Sequence, residues 1–195
     1  MSRYELKMKA KADIQGNILI WFVINLIGLG ASALVGGIPV LGAAAVAVFV
    51  TPVVSIAITI ILLDQAKGIK PEIGALFHHF DKWWTAFKVT FLTGLFTALW
   101  SMLFVIPGIV KGLSYSMSMY ILAENPEIGA REAIERSKRM MHGHKMELFV
   151  LNLSFIGWHL LGAITFGIAY VWVAPYIDAT ITNFYNDIKN QPVIE

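Results

Sequence analysis

Long apolar stretches alternate with short polar segments along this chain, a pattern that predicts a series of membrane-spanning helices. A helix rises about 1.5 Å per residue and the hydrocarbon core of a bilayer is about 30 Å thick, so one crossing takes roughly 20 apolar residues. Four stretches reach this length, and the last is long enough for two crossings. They run from Ile14 to Val35, from Val40 to Leu63, from Phe87 to Ile106 and from Met146 to Ile188.

A further apolar stretch, Pro107 to Ala123, lies near the lower limit for a crossing. The placement of lysine and arginine decides how we interpret it. Basic residues concentrate in residues 1–13, 64–86 and 124–145, and cytoplasmic loops carry the positive excess. These three segments should therefore share one side of the membrane, which requires an even number of crossings between them. The stretch from Pro107 must then cross as well.

The expected fold is an all-α, polytopic transmembrane bundle of about six spans in a single domain, residues 1–195, with both termini cytoplasmic. We expect hairpin turns at Ile106 to Gly108, where proline ends a helix, and at Thr165 to Gly167. A five-span arrangement would place residues 131–145 outside, against the charge rule, and is the alternative.

Two short amphipathic helices are expected at the inner headgroup plane, Leu76 to Trp84 and Ala130 to Met141. The second has apolar or small residues on one face and charged residues on the other. It acts either as an orienting anchor or as a docking surface for anionic lipid or another membrane protein. The basic residues of that candidate surface are Arg131, Arg136, Lys138, Arg139 and Lys145.

One five-residue sequence occurs twice in the chain. Residues 71–75 and 126–130 have the same sequence, Pro-Glu-Ile-Gly-Ala, and each copy lies in a basic segment between apolar stretches. This predicts a weak parallel repeat that relates residues 40–106 to residues 107–166. A chance match of five residues is the alternative.

The amino-acid composition limits which classes of function the protein can have. Of the 195 residues, 57% are hydrophobic and 14% are charged, whereas soluble domains carry about 25% charged residues. The net charge of +2 is too small to favour a nucleic-acid partner. The chain lacks cysteine and the common phosphate-binding, hydrolase and zinc-protease motifs. We therefore expect no enzyme activity, no cofactor and no metal site.

Ionisable residues inside a bilayer are functional candidates by default. Asp178 is the clearest one, because it falls near the middle of the last predicted span. His159, Lys111, Tyr115 and Asn152 complete a candidate intramembrane polar cluster. Such a cluster relays protons or binds an ion, or else Asp178 is a buried carboxyl that fixes helix packing.

The runs Leu99 to Lys111, Ser114 to Met117, Met141 to Lys145 and Leu153 to Trp158 resemble the bacterial membrane family called domain of unknown function 975. The resemblance covers the C-terminal half well and the first two helices only in character. It implies a multi-span protein of a bacterial plasma membrane, with no established reaction or active site.

Two hypotheses for the function follow. The first is a non-enzymatic interaction or envelope-homeostasis module that engages anionic lipids or another membrane protein through its basic inner loops. The second is a small transporter, or a tolerance or immunity factor for an amphipathic compound, with a polar cavity near Asp178.

Overall fold

A computed structural model describes residues 1–15, 17, 20–24, 51–70, 83–103, 105–165, 167 and 169–191. All regular structure in these ranges is α-helical, which confirms the all-α prediction. The helices are α1 (Arg3–Gln15), α2 (Thr51–Ala66), α3 (Trp83–Leu103), α4 (Val105–Tyr115), α5 (Ser118–Glu124), α6 (Ala130–Met140), α7 (Lys145–Leu153), α8 (Ile156–Ile164) and α9 (Tyr170–Ile188). Most of the first predicted span, the start of the second, the first pentapeptide copy and most of the shorter amphipathic helix lie outside the described residues.

Helices α3 and α4 form the hairpin expected around Pro107, but its turn lies earlier than predicted. Helix α3 ends at Leu103 and α4 begins at Val105, so Pro107 is inside the first turn of α4. Proline lacks an N–H and holds φ at a helical value, so it is well tolerated in a first turn. Pro107 therefore begins the second arm of the hairpin and does not end the first.

The two arms of this hairpin approach closely at glycines. A Cβ atom on Gly108 would lie 2.8 Å from the Cα atom of Ser101, and one on Gly112 would lie 3.5 Å from a methyl carbon of Thr97. Small residues four apart on a membrane helix allow such close backbone approach. Gly108, expected to permit a turn, instead serves helix packing.

Helices α8 and α9 form a second hairpin, and its turn lies where it was predicted. Gly167 has φ of +90°, a conformation that favours glycine. The hydroxyl oxygen of Thr165 accepts the backbone N–H of Ala169 at 3.1 Å, which satisfies a donor just before α9. A Cβ atom on Gly162 would lie 2.8 Å from the ring of Tyr170, so glycine again sets the distance between the arms.

Helix α1 is the main element that the hydropathy pattern did not predict. It continues through Gln15, although the first span was expected to begin at Ile14. Its buried residues are Leu6, Ala10 and Ile14, spaced by four, and they form a narrow stripe that packs against α9. The residues before the first apolar stretch thus form an amphipathic helix of the bundle.

The main core lies where α2, α5, α6, α7 and α9 meet. Leu6 of α1 joins it from the side. Helix α3 contributes Ala86 and Val89 near its start, whereas its later turns and α8 lie away from this core. The large, fully buried side chains of the main core include Ile56, Met117, Leu122, Leu148, Leu151, Phe155 and Tyr185.

One helical stretch among the described residues is long and apolar enough to cross a membrane. It is Lys145–Ile164, which joins α7 to α8 through the turn at Ser154 and Phe155. The described residues therefore support one crossing by length and composition. The number of spans stays a prediction.

Large apolar side chains remain exposed on both hairpins. On α3, Phe91, Leu95 and Leu99 form an exposed stripe spaced by four residues. The corresponding stripe on α8 is Ile156, Leu160 and Ile164. Exposure is highest near the turns, where Met102 is 85% exposed and both Ile106 and Ile164 are 75% exposed.

Candidate functional site

Helix α6 has the two-faced character that the sequence predicts. Ala130, Ala133, Ile134 and Ser137 are buried, while Arg131, Glu132, Glu135 and Arg139 are exposed. Gly143, with φ of +85°, follows the helix and ends it as expected. The apolar face is covered by protein, since Ala130 and Ala133 belong to the main core. What α6 presents to its surroundings is therefore its charged face alone.

A serine holds α6 against a break in the neighbouring helix. The predicted span Pro107 to Ala123 is interrupted at Ser116 and Met117, between α4 and α5. The fully buried Ser137 hydroxyl donates to the carbonyl of Ser114 at 2.8 Å and accepts the N–H of Met117 at 3.2 Å. A buried backbone group without a partner is costly, so this hydroxyl stabilises the break and fixes the position of α6.

The five basic residues of the candidate surface differ in their partners. Arg136 pairs with Glu132 at 2.7 Å, and Lys138 pairs with Glu135 at 2.7 Å. The hydrogen bond from Lys138 holds the pKa of Glu135 below its usual value. The charges that form no ion pair in the described part of the chain are those of Arg131, Arg139 and Lys145.

The residues of the predicted intramembrane cluster have separate neighbours. His159 Nδ1 lies 2.9 Å from the Tyr170 hydroxyl, and the Lys111 ammonium lies 4.9 Å from the centre of the Trp100 ring. Asn152 is exposed.

The remaining two members lie apart from these. Tyr115 is buried with its ring 6.3 Å from Phe96, and Lys138 of α6 lies 5.8 Å above it. Asp178 is half-buried beside Tyr120. Within the described ranges, no hydrogen bond, ion pair or ring contact joins any two of the five cluster residues, and the Asp178 carboxylate has no such partner. A role for each residue stays a prediction.

A carboxylate that sequence analysis did not single out ties α5 to α9. Glu124 accepts the Tyr185 hydroxyl at 2.8 Å and the Lys189 ammonium at 2.6 Å. Burial works to raise the pKa of Glu124, but the hydrogen bonds from Lys189 and Tyr185 outweigh it and hold the pKa below its usual value. The partners are 61 and 65 residues away in sequence, so no local pattern indicates them.

A second polar network ties the N-terminal segment to α2 and α9. The Asn183 amide donates to the Asp13 carboxylate at 3.1 Å, and the Trp21 indole N–H donates to Gln65 at 3.2 Å. The Gln65 amide in turn donates to the backbone carbonyl of Asp13. The buried Asn183 Oδ1 atom has no partner in the described part of the chain.

A cleft with several hydroxyl side chains in its otherwise apolar lining runs alongside the contact of α3 with α4 and α5. It has a volume of about 610 Å³, and Thr90, Thr93, Thr97 and Ser101 follow one another along its α3 wall. The Oγ atoms of Thr90 and Ser118 are buried there without a hydrogen-bond partner among the described residues. The spacing of three and four residues within an otherwise apolar helix is the sequence signal that indicates this face.

Comparison with known proteins finds a similarity to one family in the second part of the chain. Residues 102–192, a little under half of the chain, match the family described as protein of unknown function (DUF975). This confirms the family resemblance over a segment that contains every predicted site residue. No curated protein and no solved structure matches the chain.

Proposed function

We propose that this chain is a multi-span protein of a bacterial plasma membrane that acts as a non-enzymatic interaction module. The observation that carries the membrane assignment is the exposed apolar surface of the two hairpins. Water-soluble monomers rarely expose apolar patches of such extent. In a bilayer, the exposed side chains of Phe91, Leu95 and Leu99 on α3 and of their counterparts on α8 would contact lipid instead of water.

The absence of charge along the hairpins supports the same proposal. The sequence contains no Asp, Glu, Lys or Arg between Lys88 and Lys111, or between Glu147 and Asp178. Both intervals include a hairpin turn, so both turns can enter or cross a bilayer without carrying a charge. Apart from Lys111 and Asp178, the charged residues of these helices lie toward the ends opposite the turns.

The proposed topology has six spans with residues 1–13, 64–86 and 124–145 on the cytoplasmic side. Because the chain lacks cysteine, single cysteines report it without background. Glu135→Cys, on the exposed face of α6, should not react with a membrane-impermeant thiol reagent in intact cells. It should react after permeabilisation. Ile106→Cys at the first turn is the matched control and should react in intact cells. Labelling of Glu135→Cys in intact cells would contradict the six-span topology.

The proposed interaction surface is the charged face of α6. Its apolar face is occupied by the bundle, and its two internal ion pairs leave Arg131 and Arg139 available to an anionic group of a lipid or of another membrane protein. This mixed-charge face is held in place by Ser137, so it is a preformed surface.

Native mass spectrometry of the gently extracted protein tests this assignment. Co-extracted anionic lipid or partner protein should be lost on the double charge reversal Arg131→Glu and Arg139→Glu, and kept in Asp178→Asn. The opposite pattern, with a small molecule lost in Asp178→Asn alone, would refute the interaction module.

A transporter of an amphipathic compound is the second candidate. Two observations favour it, namely the half-buried Asp178, which has no hydrogen-bond or ion-pair partner among the described residues, and the cleft beside α3 with its several hydroxyl side chains. A stoichiometric small molecule that is lost in Asp178→Asn, or in a variant that fills the cleft at Gly94, would favour this function.

A further inference from the structure

A groove of about 530 Å³ runs between α1 and the helices of the second hairpin. Helix α1 contributes Lys7 and Lys11 to its wall, and the hairpin contributes Trp158, Trp172 and Tyr176. The α1 side of the groove therefore combines two cationic side chains with apolar ones such as Met8 and Ile14, and the hairpin side is aromatic and apolar.

None of the described residues that line the groove is a carboxylate that could balance the two lysines. Lys7 and Lys11 are one helical turn apart, and neither forms an ion pair in the described part of the chain. Instead, the Lys7 ammonium lies 3.4 Å from the carbonyl oxygen of Ser154 and 4.4 Å from the centre of the Phe155 ring. Burial lowers the pKa of Lys7, and the nearby Arg3 guanidinium lowers it further. An anion placed between the two lysines would stabilise the charged form of Lys7 and so oppose both effects.

The aromatic side continues into the exposed apolar surface. Trp158 is 43% exposed and Trp172 is 55% exposed, and Tyr176 packs edge-on against Trp158 with ring centres 6.0 Å apart. Trp158 lies on α8, and Leu161, about one turn further along the same face, is 41% exposed. A molecule seated in the groove would therefore pass from two ammonium groups onto the apolar surface of the hairpin.

We propose that this groove is a binding site for one anionic phospholipid of the surrounding bilayer. Lys7 and Lys11 bind the phosphate and the charged headgroup, and the acyl chains lie along Trp158 and Trp172. Charge complementarity selects an anionic lipid, and continuity with the exposed apolar face of α8 at Leu161 selects a lipid over a soluble anion. The site rests on the proposed membrane function, because the acyl chains need the hairpin to lie in the bilayer.

Bromine-labelled lipids test the site through tryptophan fluorescence. The full-length protein is reconstituted in phosphatidylcholine vesicles that contain a minor fraction of phosphatidylglycerol, and the bromine label is placed on the acyl chains of one lipid or the other. Labelled phosphatidylglycerol should quench the fluorescence beyond its share of the lipid. Trp172→Phe should remove much of this excess, because Trp172 lines the groove.

Lysine variants then separate the groove from general attraction to a negative surface. Lys7→Gln and Lys11→Gln should each weaken the preference for phosphatidylglycerol about five-fold, as expected for one basic residue near an anionic headgroup. Lys9→Gln is the matched control, because Lys9 is exposed on the same helix but does not line the groove. Its preference should not change.

The outcomes distinguish the lipid site from the membrane proposal. Equal quenching by the two labels, or an equal loss in Lys9→Gln and Lys11→Gln, overturns the lipid site alone. Absence of quenching by either label overturns the membrane proposal and the lipid site with it.

Discussion

Ser137 illustrates how one small polar side chain sets the geometry of the candidate surface. Its hydroxyl takes the place of a missing helical hydrogen bond on each side of the α4–α5 break. Helix α6 cannot shift along α4 without leaving the Ser114 carbonyl and the Met117 N–H unpaired. The position of the charged face thus depends on a residue that lies on the opposite, buried face.

Ser137→Ala should destabilise the protein by about 2 kcal/mol, because a buried donor and a buried acceptor lose their partner at once. The free energy of unfolding in mixed detergent micelles measures this. Ser116→Ala is a suitable control, since the Ser116 hydroxyl donates only to Leu113 on the same helix segment. If Ser137→Ala lowered the free energy of unfolding no more than Ser116→Ala does, the Ser137 hydroxyl would not stabilise the α4–α5 break.

Glu124 should make stability depend on pH in the acid range. Its pKa in the folded protein lies below the ordinary value of 4.5, so its contribution is fully present above about 4.5. That contribution is lost as the pH falls through the lower, folded value. The thermal midpoint should therefore decline on acidification, and Glu124→Gln should reduce this decline. Glu127→Gln, at an exposed position that forms no ion pair within the described part of the chain, should retain the wild-type profile.

At the scale of elements, each hairpin depends on a glycine near its turn. Gly108→Ala should separate α3 from α4, because the added methyl group would meet the Ser101 backbone. We expect a loss of about 1–3 kcal/mol, the usual range for overpacking. Gly157→Ala on exposed α8 has open space around the new methyl group and should be neutral or slightly stabilising. Similar unfolding free energies for the two variants would contradict the close packing.

The sequence predicted some element boundaries well and others poorly, for identifiable reasons. The turn at Gly167 and the helix from Ala130 were predictable, because a glycine or a clear amphipathic pattern marks them. The break at Ser116 was not, since its partner Ser137 is distant in sequence. The hydropathy pattern did not predict helix α1, because basic residues surround its buried stripe of Leu6, Ala10 and Ile14.

The candidate sites were predictable as residue types but not as groups. Asp178 and Lys111 were predicted as candidates because each places a charge within an apolar stretch of the sequence. Their neighbours, however, depend on the rotation of each helix and on packing across the bundle. The groove between α1 and the second hairpin was not predictable, because it requires a helix that the hydropathy pattern does not show.

At the scale of the whole molecule, the hairpins and the charged helices divide the surface into an apolar part and a polar part. Leu160→Lys should reduce the fraction that resists alkaline extraction from membranes, because a lysine deep in a bilayer costs about 3 kcal/mol. Met146→Lys is a control on the same apolar stretch, at an equally exposed position next to Lys145. It should remain in the membrane fraction, and equal extraction of both variants would argue against a buried hairpin.

The packing of α1 against α9 has a consequence for the order of assembly. Asp13 and its partner Asn183 are 170 residues apart, so a ribosome adding about 5–20 residues per second needs roughly ten to thirty seconds to synthesise the second after the first. During that interval the apolar stripe of α1 has no α9 to pack against. Docking of α1 is therefore a late event in biogenesis, and the groove beside it forms only once the last helix has been made.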